Sequence, residues 1–148
     1  RLYAAEPNDN ARSALAKTHP HVQVRDGHAA NILAEDDCFD LVFTAGVLIH
    51  VHPDNLRDAM GEIVRVSRKY VLAIEYFAPR VEPVTYYGAE RIWRNDFGRL
   101  YVELGLATVT YGFFWKEPGQ TGGFDNTCWW LMEKSYGSST ADVEKQRP

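Results

Sequence analysis

The stretch from residue 39 to residue 54, FDLVFTAGVLIHVHPD, constrains the fold of this 148-residue chain more than any other. Residues 39–44 alternate and are rich in β-branched and aromatic side chains, which predicts a buried strand. Ala45 and Gly46 interrupt the apolar run and leave room for a ligand near the backbone. Two histidines follow, and then a Pro-Asp pair that predicts a helix start. Such a strand, ending in polar residues before a helix, is typical of ligand sites at the carboxyl edge of open α/β sheets.

Strands and helices alternate throughout the first half of the chain. Alternating or continuous apolar runs predict strands, and apolar residues three or four positions apart predict helices. The predicted strands are 2–5, 22–25, 39–44 and 70–76, the predicted helices are 10–18 and 54–68, and Lys69-Tyr70 is a predicted turn. This order predicts an α/β fold with a mostly parallel sheet that is covered on both faces.

The second half of the chain has a different character. Residues 78–95 hold prolines, aromatic residues and arginines without a clean period, which predicts an ordered loop or a short helix over the sheet edge. Asp96 then caps a helix that ends at Gly105. Residues 107–115 and 126–134 predict an antiparallel strand pair, and residues 135–148 a polar tail. Most aromatic residues of the strand pair are expected in the core: Phe113, Phe114, Trp115, Trp129 and Trp130.

Composition limits the classes of function. The net charge of −4 gives no electrostatic footprint for nucleic acid, so no nucleic-acid partner is expected. Cys38 and Cys128 form no CxxC pair and are expected to be free thiols of a reducing, cytoplasmic compartment. No run of about 18 apolar residues occurs, so no membrane span is expected. No ligand-spaced cluster of His, Asp and Glu requires a metal.

An acidic residue follows each of the first two predicted strands. Glu6 stands where nucleoside-binding α/β folds use a carboxylate to accept hydrogen bonds from ribose hydroxyls. Asp26 holds the equivalent place after the next strand, and the small residues beyond it would admit a flat ring with an exocyclic amine. The plain alternatives are a helix-capping carboxylate for Glu6 and an ordinary loop aspartate for Asp26. Their spacing, with one helix and one strand between them, favours a joint site.

These features together resemble the class I S-adenosylmethionine-dependent methyltransferases. Ala5-Glu6-Pro7 resembles the family's ribose-binding turn, and RDGHA at 25–29 resembles its adenine-side loop. Residues 39–53 resemble its fourth-strand signature, and EIVRVS at 62–67 resembles the helix that follows. The resemblance spans about residues 2–134 and implies one Rossmann-like methyltransferase domain, 1–134. It also implies S-adenosylmethionine as the cofactor and these residues as its contacts: Glu6, Asp26, Gly27, His28, Ala45 and Gly46.

Shorter motifs narrow the resemblance further. GVLIH at 46–50, RVS at 65–67, IEY at 74–76, DF at 96–97 and WWLMEK at 129–134 resemble the methylase family associated with pseudaminic acid biosynthesis. That family association implies a small-molecule acceptor that is sugar-like, such as an acidic sugar or a sugar nucleotide, and a place in polysaccharide biosynthesis.

The chain departs from the family pattern in one large respect. The family's first strand and its GxGxG-like loop would lie before Arg1, and no such motif occurs downstream. The strands that end at Glu6 and Thr44 would then pair directly, leave a gap, or receive a strand from another chain, as in a homodimer or a strand exchange. We therefore expect this sequence to be a fragment of a longer protein that binds the cofactor weakly or not at all.

Three residues are candidates for the chemistry of methyl transfer. The reaction is an in-line displacement in which the protein aligns the acceptor and, for a hydroxyl or amine, removes a proton. His50 is the first candidate base and His52 the second, since imidazole titrates near neutrality. For both, the alternative is a structural histidine bonded to a loop carbonyl. Glu75, an acid in an apolar strand, would orient the acceptor or form an ion pair with an arginine.

A group of aromatic and basic residues lies between residues 86 and 94. Aromatic faces stack on sugar rings, and arginine forks bind carboxylates or phosphates. The group therefore predicts a lid over an acidic, sugar-like acceptor. The alternative is that the rings plug the sheet edge while the arginines extend to solvent. Its members are Tyr86, Tyr87, Arg91, Trp93 and Arg94.

Two other classes of function compete with a methyltransferase. A catalytically silent methyltransferase-like module, serving as a binding or assembly partner, is favoured by the missing glycine loop. The retained Glu6, Asp26 and His50 favour an enzyme. A nicotinamide dehydrogenase is disfavoured, because no Tyr-x-x-x-Lys pair or hydride-site pattern accompanies the His-Val-His-Pro segment.

Overall fold

The computed structural model describes residues 1–86, 90–121 and 126–135, and it describes Tyr86, Glu90 and Arg91 by their backbone alone. The helices are α1 (Asp9–Thr18), α2 (Pro53–Val66) and α3 (Phe97–Glu103), and a single 3₁₀ turn spans Leu48–His50. The strands are β1 (Leu2–Ala5), β2 (Val22–Arg25), β3 (Phe39–Ala45), β4 (Ser67–Glu75), β5 (Glu82–Tyr86), β6 (Glu90–Arg94), β7 (Leu106–Phe114) and β8 (Thr127–Lys134).

The strands form three hydrogen-bonded groups within the described part of the chain. β1 and β2 pair in parallel, and β3, β4, β8 and β7 form a four-stranded sheet in that order. In this sheet β3 and β4 are parallel, while β8 runs antiparallel to both β4 and β7. β5 and β6 form a separate antiparallel hairpin. This arrangement confirms the predicted α/β class, with parallel pairs first and an antiparallel pair at the end.

A gap separates β1 from β3. Among the described residues no ladder joins these two strands, so of the three predicted outcomes the structure shows the gap. The rings of Tyr3 and Phe39, near the starts of the two strands, lie 5.1 Å apart between centroids. On β3 the side chains of Leu41 and Phe43 remain 45% and 61% exposed. β3 therefore presents both an unpaired edge and an uncovered apolar face.

The core lies on the other face of the four-stranded sheet, under α2 and α3. In α2, Leu56, Met60 and Ile63 recur at helical spacing and are all buried. Val71 on β4 and Met132 on β8 face them from the sheet and are fully buried. Helix α1, in contrast, has no buried residue.

Arg65 of α2 ties the loop after β2 to the rest of the fold. Its guanidinium donates to the carbonyl oxygens of Ile32 (3.1 Å) and Ala34 (2.9 Å). It also pairs with the carboxylates of Glu62 (2.7 Å) and Asp36 (2.6 Å). The two-stranded unit is thus held to α2 through this loop, although its strands do not join the main sheet.

The predicted boundary between the second helix and the fourth strand is wrong. The helix ends at Val66, and Ser67, Arg68 and Lys69 already belong to β4 instead of extending the helix or forming a turn. The Ser67 hydroxyl donates to the carbonyl oxygen of Tyr70 (2.8 Å), and Ser67 pairs with Phe39 across the ladder. Pairing with β3 overrides the helical spacing that continues into these residues.

The prediction of a loop or short helix over residues 78–95 is also wrong. Within this stretch Glu82–Tyr86 and Glu90–Arg94 are strands that pair as the β5–β6 hairpin, in which Val84 pairs with Ile92 and Pro83 with Trp93. Ile92 is only 5% exposed because it packs against the core that contains Leu48 and Ile49. Proline is compatible with an edge strand, and its presence concealed the alternation in the sequence.

The antiparallel pair at the end of the chain is confirmed, but its aromatic residues are divided. Trp130 is buried, whereas Phe113 and Trp115 remain 52% and 65% exposed, which contradicts their assignment to the core. The physical reason is that Phe113 lies on β7, the edge strand of the sheet, and Trp115 follows the end of that strand. The helix after Asp96 is confirmed. The predicted tail lies outside the described residues except for Ser135.

Two glycines in helices provide a matched test of this packing. A Cβ at Gly98 of α3 would lie 2.3 Å from Cδ1 of Trp130, whereas a Cβ at Gly61 of α2 meets nothing within 4 Å. We expect Gly98→Ala to lower the free energy of unfolding by about 1–3 kcal/mol through overpacking. Gly61→Ala should raise it by about 0.5–1 kcal/mol, because alanine favours the helix. Urea denaturation measures both, and an equal effect of the two substitutions would contradict the α3–β8 packing.

Candidate functional site

The two acidic candidates lie side by side. Ala5, the last residue of β1, pairs with Arg25, the last residue of β2, and Glu6 continues the ladder by donating its N–H to the Arg25 carbonyl oxygen (3.1 Å). Asp26 therefore emerges beside Glu6 at the carboxyl ends of two parallel strands. The Glu6 carboxylate accepts the Asn8 N–H through Oε1 (2.8 Å), which fixes its direction.

Arg12 joins these two acidic positions and was missed by the sequence reasoning. Its Nη1 donates to the Glu6 carbonyl oxygen (2.7 Å) and to Asp26 Oδ1 (3.1 Å), and it also pairs with Asp9. A cation in the first turn of a helix is opposed by the helix dipole, so such a residue needs a local reason. That conflict is the signal by which Arg12 could have been found.

The loop after Asp26 is a tight turn against the end of β1. Gly27 has φ +153°, and a Cβ there would lie 3.3 Å from the Asn31 carbonyl oxygen and 3.7 Å from Ala5 Cβ. Asn31 donates its N–H to the His28 carbonyl oxygen (2.8 Å), while the His28 side chain is exposed. Glycine therefore allows the turn to close against β1, next to the two carboxylates.

The end of β3 provides a second open turn. Ala45 and Gly46 are both exposed, and Gly46 adopts φ +64° while donating its N–H to the Ile74 carbonyl oxygen (2.9 Å). A Cβ at Gly46 would meet nothing within 4 Å, so the backbone conformation, not crowding, favours glycine there. The backbone here is accessible, and a ligand contact at Ala45 and Gly46 stays a prediction.

Glu75 is fully buried at the end of β4, and its carboxylate binds the loop that follows β3. Oε1 accepts the N–H groups of Val47 and Leu48, both at 3.2 Å, and Oε2 accepts that of Ile49 at 3.4 Å. Burial raises the pKa of Glu75, while these N–H groups and the Thr44 side chain act to lower it. Tyr101, also buried, has a raised pKa because of its burial and the nearby Glu75 charge.

This position corrects both expectations for Glu75. Among the described residues no arginine pairs with it, and its fully buried oxygens are occupied by the loop instead of facing an acceptor. A buried carboxylate without a cation is stabilised by several backbone donors. Glu75 therefore positions the segment that leads to His50.

The two candidate bases have different surroundings. His50, at the end of the 3₁₀ turn, is exposed, and within the described chain its ring has no hydrogen-bond partner. His52 is the N-cap of α2, where Nδ1 accepts the Asp54 N–H (3.3 Å), and its ring meets Trp93 edge-on at 5.1 Å. His52 thus has a structural role, although it accepts a backbone N–H and the alternative had named a bond to a loop carbonyl. The His50 imidazole has no such role among the described residues and is free to contact a ligand.

The β5–β6 hairpin covers one side of an open cleft of about 700 Å³. The cleft lies between this hairpin, the end of β4 and the turn that follows β7. Arg94, Tyr76 and Lys116 are half-buried in its wall, whereas Phe77, Phe113 and Glu117 line it as exposed side chains. Of the other predicted lid residues, Tyr87 and the side chains of Tyr86 and Arg91 lie outside the described residues.

Several general features of the described residues bear on the site. Both cysteines are unpaired, with Cys38 exposed and Cys128 half-buried. No group of three or more His, Cys, Asp or Glu side chains that could hold a metal ion occurs in residues 1–86, 90–121 and 126–135. None of the helices in this part of the chain is long and apolar enough to cross a membrane.

Comparison with known proteins identifies the class of this fold. Residues 3–70 match the family described as a methyltransferase domain. No curated protein matches the chain. Among solved structures, the 1,6-didemethyltoxoflavin-N1-methyltransferase of Burkholderia thailandensis, crystallised with 1,6-didemethyltoxoflavin and S-adenosylhomocysteine, is similar with a TM-score of 0.72 at 15% identity. That similarity covers 91% of this chain and 61% of the other.

Two further structures show the same similarity. A SAM-dependent methyltransferase from Methanosarcina mazei gives a TM-score of 0.69 at 13% identity, covering 89% of this chain and 81% of that one. The magnesium protoporphyrin IX methyltransferase of Synechocystis, crystallised with SAM, gives 0.65 at 9% identity, covering 90% and 59%.

At such low identity the structural similarity establishes the fold, which is the Rossmann-like fold of these methyltransferases. Together with the match over residues 3–70, it supports the class I S-adenosylmethionine-dependent methyltransferase that the sequence resembles. The chain spans 61% of the length of the Burkholderia enzyme, and it shares the fold with enzymes that differ in substrate.

The buried carboxyl of Glu75 predicts a pH-dependent difference in stability. Because burial raises its pKa in the folded state, the unfolded chain releases this proton more readily, from about pH 4.3 upward. This contribution to folding is therefore complete below the unfolded pKa and is lost as the pH rises through the folded pKa. Glu75→Gln cannot ionise, so we expect the variant to gain stability relative to wild type over that window.

Urea denaturation of both proteins between pH 4 and pH 8 measures this difference. A difference that is constant with pH, or one that changes in favour of wild type, would contradict the raised pKa of Glu75.

Proposed function

We propose that this chain is part of an S-adenosylmethionine-dependent methyltransferase that acts on a small or sugar-like acceptor, such as an acidic sugar. The observation that carries the proposal is the adjacency of Glu6 and Asp26 at two parallel strand ends, joined by Arg12, on a methyltransferase fold. Two carboxylates at this spacing suit the ribose and the adenine of one nucleoside.

The adenosine half of the cofactor fits the residues that are present. Glu6 uses Oε1 for Asn8, which leaves Oε2 to accept from the ribose hydroxyls. Asp26 uses Oδ1 for Arg12, and its side chain is 72% exposed, so Oδ2 is open to an adenine amine. Half-buried Gly27 and exposed His28, Ala45 and Gly46 would border the flat ring. When bound, the cofactor supplies a methyl group on a sulfonium, ready for displacement.

His50 is the proposed base. As an acceptor oxygen or nitrogen attacks the methyl carbon, its proton passes to the unpartnered His50 ring, and the electron pair of the breaking carbon–sulfur bond stays on sulfur. Glu75 supports this step from a distance, because it fixes the three N–H groups that precede His50. His52 is the second candidate, with its cap to α2 as its first task.

The cleft beside the hairpin is the proposed acceptor site. Arg94 is half-buried there and, among the described residues, has no carboxylate partner, which suits an acidic group. Tyr76, Phe77 and Phe113 offer faces on which a sugar ring can stack. The motifs that resemble the pseudaminic acid-associated methylases favour an acidic sugar or sugar nucleotide, and Tyr86, Tyr87 and Arg91 remain proposed contacts.

A specific observation favours the second candidate, a catalytically silent binding module. The gap between β1 and β3 separates the adenosine half from the strand that leads to His50, and no GxGxG turn occurs in the sequence. We infer that a further strand, from this polypeptide or from a second copy, must fill the gap before the methionine end of the cofactor is held. Exposed Leu41 and Phe43 on β3 support an apolar segment as its occupant.

Adenosine and S-adenosylmethionine distinguish these possibilities when each is titrated into the 148-residue chain and followed by NMR. The chain offers contacts to adenosine alone, so we expect both ligands to bind within about threefold of each other. Glu6→Ala should weaken both about tenfold, the equivalent of about 1.4 kcal/mol for charged hydrogen bonds. Glu35→Ala, which removes an exposed loop carboxylate, should change neither affinity.

Each other outcome contradicts part of the proposal. Absence of adenosine binding at millimolar concentration would favour the silent module. Binding of S-adenosylmethionine tenfold or more tighter than adenosine would show that the methionine end is already held, and that the gap needs no further strand. The acceptor site is tested by titrating N-acetylneuraminic acid, an acidic sugar, and glucose, a neutral one. N-acetylneuraminic acid should shift resonances around Arg94 and glucose should not. Equal shifts would exclude an acidic acceptor.

A further inference from the structure

A second cavity, of about 330 Å³, lies between α2 and α3. None of its lining residues in the described part of the chain also lines the cleft beside the hairpin. Its floor is apolar, with Leu56 and Met60 contributed by α2 and Leu100 and Leu104 contributed by α3 and its end. Leu56 and Met60 are 5% and 1% exposed, so they are part of the core. The volume is at the small end of the usual range for ligand sites, about 300–1,000 Å³.

Arginines surround this apolar floor. Arg57 on α2 and Arg80 in the segment after β4 both line the cavity, and within the described chain neither has a carboxylate partner. Elsewhere the arginines of helices are paired, as Arg12 is with Asp26 and Arg65 is with Glu62. In a chain whose net charge is −4, two unpaired cations beside one apolar cavity indicate an anionic ligand.

Asn95, a buried residue, adds a side-chain donor to the same cavity. It is 7% exposed, and its Oδ1 accepts the Asp96 N–H (2.9 Å), which leaves the side-chain NH₂ for another acceptor. The backbone of Asn95 is fixed, because it donates to the Tyr76 carbonyl oxygen (3.4 Å) and accepts the Ala78 N–H (3.3 Å). This donor is therefore held in place whether or not a ligand is bound.

We propose that this cavity binds a small amphipathic carboxylate, an anion with an aliphatic body. The carboxylate would lie between the guanidinium groups of Arg57 and Arg80 and accept from the Asn95 amide, while the body covers the leucine and methionine floor. Among the described residues no aromatic side chain lines the cavity, which distinguishes it from the proposed acceptor site. The site is independent of the proposed methyl transfer.

Octanoate tests this proposal, with two ligands that each lack one half of its chemistry. 1-Octanol keeps the aliphatic body without the charge, and inorganic phosphate keeps the charge without the body. In NMR titrations of the 148-residue chain we expect octanoate to shift the Asn95 side-chain NH₂ and the Leu100 and Leu104 methyl groups. Octanol and phosphate should each bind at least tenfold more weakly.

Arginine variants give the matched control. Arg57→Gln and Arg80→Gln should each weaken octanoate about tenfold, whereas Arg68→Gln, in β4 and away from the cavity, should not. Octanol binding as tightly as octanoate would overturn the role of the charge, and phosphate binding as tightly would overturn the role of the floor. Equal effects of Arg80→Gln and Arg68→Gln would overturn the assigned site. Adenosine affinity should be unchanged throughout, so this test and that of the proposed function fail separately.

Discussion

The hydrogen bonds from the loop after β3 to the buried carboxylate of Glu75 are the interaction on which the rest of the site depends. Removing a carboxylate from water is costly, and it is tolerated here because the N–H groups of residues 47–49 converge on its two oxygens. The same bonds fix the 3₁₀ turn, whose Leu48 and Ile49 side chains enter the core against Ile92 of the hairpin. One acid thus links the end of β4, the segment that carries His50 and the hairpin beside the proposed acceptor cleft.

The gap between β1 and β3 divides the site into two halves. The proposed adenosine half belongs to the β1–β2 unit, with Glu6 and Asp26 joined by Arg12, and it is held to α2 through Arg65. The proposed acceptor half belongs to the four-stranded sheet and the hairpin. Each half is ordered by its own contacts. A strand between them would align the two halves, because neighbouring strands fix each other's position through the backbone ladder.

Local signals predicted much of the fold. The strands at 2–5 and 22–25, the cap at Asp96 and the antiparallel pair were all read from alternation and capping residues. Errors arose where tertiary contacts decide. Ser67 is in a strand because it pairs with Phe39 in the β3–β4 ladder. The proline-containing segment forms a hairpin because Ile92 packs in the core with Leu48. Edge position exposes Phe113 and Trp115, which composition alone cannot reveal.

The candidate site shows the same division between local and tertiary information. Glu6, Asp26 and Gly27 follow strands, so their adjacency could be inferred from strand order. The task of Glu75 could not, because nothing local indicates that its partners are backbone N–H groups about 27 residues earlier.

Amide hydrogen exchange at residues 47–49 measures whether Glu75 fixes this loop. We expect these three amides to be protected in wild type, because they donate to the Glu75 carboxylate. In Glu75→Gln an NH₂ group replaces one acceptor oxygen, so at least one of the three should lose protection. Gly46, which donates to the Ile74 carbonyl oxygen, should keep its protection in the same sample. Rapid exchange of all three amides in wild type, or unchanged protection in Glu75→Gln, would show that Glu75 does not fix the loop.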